Sequence, residues 1–86
     1  MFEFNPEDAP PEAVGEVARR MLQEAKSTYS SSSRTVEGWK LTSHAVHPEN
    51  ETDMARLWNV WWEYSQKDAV FFGVPDGGAF VAAQKN

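Results

Sequence analysis

The chain has 86 residues, of which 41% are hydrophobic and 13% aromatic, with no cysteine and a net charge of −5. That length fits one small domain, residues 1–86, and the aromatic content argues against disorder along the whole chain. Without cysteine there is no disulfide framework or thiolate chemistry, and the acidic balance disfavours direct nucleic-acid binding, which requires a basic patch.

Charge is unevenly placed. The acids Glu3, Glu7, Asp8, Glu12 and Glu16 precede the first basic residue, Arg19, and the remainder of the chain is balanced. Such a segment serves solubility and the helix dipole, or attracts a basic protein surface. The first residues show neither the basic nor the apolar region of a signal peptide, and no apolar run reaches the roughly 18–20 residues of a membrane span. The expected location is the cytoplasm, with no membrane partner.

In chain order, residues 1–9 read as an acidic arm or short strand, with Phe2 and Phe4 on one side. Prolines 6, 10 and 11 interrupt regular structure before a helix that starts at Pro10 or Pro11 and runs to about Ser27. Val14, Val17, Ala18, Met21, Leu22 and Ala25 follow the spacing of an amphipathic helix and span an arc of roughly 140°. Residues 29–34, with serine at 30 to 33, read as a mobile surface loop. Thr35 to Val46 reads as one strand, with Gly38 marking a bulge or a close backbone approach.

Asn50 is placed to cap a second helix, with Asp53 three residues on. Asn50-Glu51-Thr52 also matches the glycosylation pattern, which is coincidental without secretion. The second helix extends from Glu51 to about Gln66. Val74-Pro75-Asp76-Gly77 then provides a turn between two apolar strands, a C-terminal β-hairpin with Gly77 in the left-handed position. The expected fold is α+β in the order α-β-α-β-β, a three-stranded, mostly antiparallel sheet with two helices on one face.

The second helix carries too many apolar residues for one contact. Met54, Leu57, Trp58, Trp61 and Trp62 form one stripe, Ala55 widens it, and Val60 and Tyr64 extend the other side, for a total arc of roughly 220°. Two arrangements fit. In one, the helix sits in a corner between the sheet and the first helix. In the other, an edge stays open for a partner or a second copy, since tryptophan and tyrosine dominate interface hot spots. Trp58 and Trp61 are expected in the core, and Trp62 and Tyr64 at opposite protruding edges.

Chemical motifs are sparse. His44 and His47, followed by Glu49, form a metal-like cluster, but residues three apart on a strand point to opposite faces, and no third histidine completes a site. No nucleophile elbow or phosphate-binding glycine motif is present. No cofactor, metal or catalytic residue is assigned. The C-terminal strand, Ala79 to Gln84, would offer a route to strand addition or a homodimer if it lay at a sheet edge.

The function expected from these features is non-enzymatic. It is that of a small protein-binding module, an inhibitor or regulator of the phage or mobile-element type, acting on a larger basic partner such as a nucleic-acid-binding protein. Its contacts are expected at Glu3, Glu7, Asp8, Glu12 and Glu16, for steering, and at Val60, Trp62 and Tyr64, for anchoring. The alternatives are a homo-oligomeric assembly subunit and a small enzyme using His44 and His47.

Overall fold

Two helices and a four-stranded antiparallel sheet make up the fold seen in a computed structural model, which describes residues 10–85. Helix α1 spans Glu12–Thr28 and lays Val14, Ala18, Met21 and Ala25 against the sheet, the i, i+4, i+7, i+11 positions of its apolar stripe. Tyr29 ends it in the left-handed conformation, and its N–H donates to the Ala25 carbonyl at 2.8 Å. The acidic arm, residues 1–9, with Glu3, Glu7 and Asp8, lies outside the described residues.

The expected single strand over residues 35–46 is two strands. Strand β1, Ser33–Val36, turns back into β2, Trp39–Ala45, with Val36 opposite Trp39. The two residues between them, Glu37 (φ 48°) and Gly38 (φ 82°), both have positive φ. That is the mark of the tight turn whose twist suits a hairpin. Gly38 is therefore a hairpin residue, not a bulge.

The serine run is correspondingly more ordered than its composition suggests. Ser32 and Ser43 form a small network around a fully buried hydroxyl. The Ser32 N–H donates to Ser43 Oγ at 2.9 Å, and the Ser43 N–H donates to the Ser32 carbonyl at 2.9 Å. Half of the expected loop is thus strand or strand extension, because backbone pairing with β2 satisfies groups that a free loop would leave to water.

Helix α2 spans Glu51–Ser65 and is capped as expected, with Asn50 Oδ1 accepting the Asp53 N–H at 3.1 Å. Strand β3, Val70–Phe72, and strand β4, Ala79–Lys85, complete the sheet and pair antiparallel through a 3-10 turn at Pro75–Gly77. The left-handed residue is Gly78 (φ 88°), one position later than expected. A Cβ there would lie 2.6 Å from the Val46 carbonyl oxygen, so the β2 end and the β4 start approach at a distance that glycine alone permits.

The element order is therefore α-β-β-α-β-β and the sheet order β1-β2-β4-β3. Strand β4 is central, paired with β2 along seven residues and with β3 on its other side, so it is no edge. Edges are formed by the short strands β1 and β3.

The helices do not share a face. Successive strand residues point to opposite sides of a sheet. On one side Trp39, Leu41, Val81 and Ala83 pack with Val14, Ala18 and Met21 of α1. On the other, Phe80 and Ala82 pack with Leu57 of α2, joined by Phe71, Trp61 and Tyr64. The expected two-helix layer is replaced by a sheet sandwiched between helices. Its cause is visible in β4, where Ala79 to Ala83 are all buried. A strand covered on both faces needs apolar residues at every position, not at alternate ones.

Candidate functional site

Because α1 lies across the sheet, no corner exists to enclose the wide apolar arc of α2. The helix has one contact surface. Leu57 is buried at its centre, with Met54, Val60, Trp61 and Tyr64 half-buried around it. The part of the arc rotated away from this centre is left in solvent. Trp58 is 40% exposed and Trp62 61% exposed.

These two indoles are four residues apart, hence neighbours on one side of the helix. Ala55 and Glu51 continue the same exposed line towards the helix start. At about 100° per residue Arg56 falls on the far side of α2, and Lys67 lies beyond the helix end, in a groove with Glu63 and Tyr64, so this line carries no positive charge.

An aromatic ladder connects the exposed pair to the core. Phe80, Phe71, Trp61 and Trp58 follow one another with ring centroids 5.9, 4.9 and 5.8 Å apart. Trp61 lies almost flat on Phe71, the middle residue of edge strand β3. Among the described residues the sheet has no neighbour beyond that strand, and the rings continuing outward from Trp61 are exposed. Among the described residues the buried Trp61 indole N–H has no hydrogen-bond partner, a cost of roughly 1–3 kcal/mol that the stacked packing must exceed.

The structure rearranges the expected contact residues. Trp62 protrudes as expected. Trp58, expected in the core, protrudes beside it. Tyr64 is drawn inward, its ring tilted 5.5 Å from that of His44 and edge-on to Phe80. Val60 is half-buried on the same side as Tyr64, so neither joins Trp62 in one surface. Glu12 and Glu16 are exposed on α1, across the sheet from α2. Helical spacing reports how wide an apolar arc is, but not where its buried centre falls.

His44 and His47 do not converge. Neighbouring β2 residues Leu41 and Ser43 face α1, and His44 faces α2, with its ring 5.3 Å from Phe80 and its Nε2 3.3 Å from the Tyr64 hydroxyl. Burial lowers its pKa below the usual 6.5, keeping the imidazole neutral at physiological pH. His47 lies beyond the strand, stacked 3.9 Å from the Tyr29 ring at the end of α1. Among the described residues no group of three or more metal-binding side chains comes together, and no helix is long and apolar enough to cross a membrane.

Comparison with protein-family models, curated proteins and solved structures returns no significant match.

Proposed function

We propose that this chain is a non-enzymatic protein-binding module whose contact surface is the outer edge of α2, centred on Trp58 and Trp62. The observation that carries the reading is the exposure of two tryptophans one helical turn apart. An indole left in water forgoes the burial energy that a core position would supply, and a partner's pocket restores it. Rigid aromatic anchors of this kind dominate the energetics of protein interfaces.

The partner that suits this surface is a protein with an apolar groove rimmed by basic side chains. The chain carries a net charge of −5, and Glu51 heads the line of exposed residues that contains both indoles. Attraction to a basic partner operates over about 8–10 Å at physiological salt, so acids elsewhere on the molecule contribute to approach without touching. A module that covers such a surface acts by steric exclusion, as a small inhibitor or regulator does.

The test compares the wild type with the double variant Trp58→Ala, Trp62→Ala in affinity capture from the source cells, with circular dichroism confirming that both are folded. The expected outcome is a protein retained by the wild type, lost with the double variant and released by raised salt. If no protein distinguishes the two baits, the reading fails. A dimer in light scattering that the double variant dissolves would replace it with the homo-oligomeric alternative.

A further inference from the structure

On its own side of the sheet, α2 packs against β3 and β4, through Phe71, Phe80 and Ala82. Among the described residues, Ser33, Thr35 and Lys40 are exposed on the same face of β1 and β2, while His44 at the end of β2 meets Tyr64 of α2. Residues paired across neighbouring antiparallel strands point the same way, so Thr35, Lys40 and Gln84 form one cross-strand row on this face, with Ser33 and Thr42 in the next. Where this exposed sheet meets the helix lies a groove of about 330 Å³, lined by His44, Val60, Glu63, Tyr64, Lys67 and Gln84. That volume is at the small end of clefts that hold small molecules.

We propose that this groove binds a neutral saccharide. The chemistry of the lining selects among ligand classes. An anion would meet the Glu63 carboxylate in the wall, and a cation would meet Lys67, with Lys40 beside Gln84. An apolar ligand would find Val60 and the Tyr64 ring set among four polar or charged side chains. A polyhydroxylated neutral molecule uses everything present. Glu63 accepts hydrogen bonds, Lys67 donates them, and the Gln84 amide does both.

His44 and Tyr64 add the remaining features. Their 3.3 Å contact joins two rings of the groove lining. The neutral imidazole keeps one donor and one acceptor nitrogen. The Tyr64 ring and Val60 give an apolar strip for the C–H face of a pyranose, while the surrounding polar groups meet its hydroxyls. This site faces away from the Trp58 and Trp62 line, so it stands independently of the protein-binding reading.

The experiment is an NMR titration of the ¹⁵N-labelled full chain with glucose, galactose, mannose, N-acetylglucosamine, maltose and lactose. For at least one sugar the expected result is a saturable shift confined to the amides of His44, Val60, Tyr64 and Gln84 and to the Gln84 side-chain NH₂. Glu63→Ala and Gln84→Ala should each weaken that binding roughly tenfold by removing a hydrogen-bond partner, while Trp62→Ala leaves it unchanged. Sodium phosphate and glycine serve as charged comparators. If either moves the same amides at lower concentration than every sugar, or if no sugar moves them at all, the proposal is overturned.

Discussion

Two glycines with nearly the same backbone conformation allow the close approach of β2 and β4 to be measured. Gly38 has φ 82° and nothing within 4 Å of the place an added methyl group would occupy, whereas Gly78 has φ 88° and would place a Cβ 2.6 Å from the Val46 oxygen and 3.2 Å from Pro48 Cδ. Alanine at either site loses about 1–2 kcal/mol from the left-handed conformation and restricts the unfolded chain equally. At Gly78 the methyl group must also displace a backbone oxygen. The Val46 N–H donates to the Gly78 carbonyl at 2.8 Å, so the displacement strains the bond that ties the two strand ends together. Losing it adds roughly 1 kcal/mol, and the steric shift a similar amount, for a total of about 3–4 kcal/mol.

For a domain of this size 1 kcal/mol moves Tm by roughly 4–8 °C. Gly38→Ala should therefore lower Tm by about 5–10 °C and Gly78→Ala by about 15 °C or more. The latter is a large fraction of the roughly 5–15 kcal/mol that holds a small domain together. Thermal and urea unfolding, followed by tryptophan fluorescence and circular dichroism, measure both. Equal losses in the two variants would refute the idea that backbone crowding, and not φ alone, sets the requirement at Gly78.

Leu57 and Trp58 are adjacent on α2 but differ in exposure, 2% against 40%. Leu57→Ala should cost about 2–5 kcal/mol in urea unfolding, and Trp62→Ala well under 1 kcal/mol; comparable losses would mean that the buried face of α2 is misplaced. His44 supplies a pH dependence with a definite sign. Its folded pKa lies below the unfolded value of 6.5, so the unfolded chain takes up the proton first. Stability present above the unfolded value is lost as pH falls from there through the folded one. His44→Gln should flatten that part of the stability-against-pH curve, and a variant curve parallel to the wild type would show that burial of His44 does not govern it.

Much of the local structure is legible in the sequence. The α1 stripe, the Asn50 cap and the C-terminal hairpin each rest on contacts between residues close in the chain, which spacing and turn chemistry encode directly. The hairpin at Glu37-Gly38 is not legible in the same way, because glutamate in a left-handed position is disfavoured and a lone glycine fits a bulge as well. The layer arrangement is harder still. Whether α1 and α2 share a face depends on which side of β4 each covers, a long-range choice that neither helix records. The run Ala79 to Ala83 carries the relevant signal, since a half-exposed strand would alternate. The candidate surface follows from that choice: with α1 on the other face, no element among the described residues remains to cover Trp58.

The central position of β4 also sets the order in which the fold is assembled. β1 and β2 are joined by two residues and can pair within microseconds as a hairpin. Every bridge between β2 and β4, from Ala45 with Ala79 to Trp39 with Lys85, encloses the whole of α2 and β3. Closing that loop costs chain entropy before any of the shared core forms, which slows folding relative to an all-helical chain of this length. Until β4 enters, the faces of β2 and both helices have no common floor, and the two hydrophobic layers cannot form one after the other. A single strand thus couples them, so both layers should appear and disappear in one cooperative step.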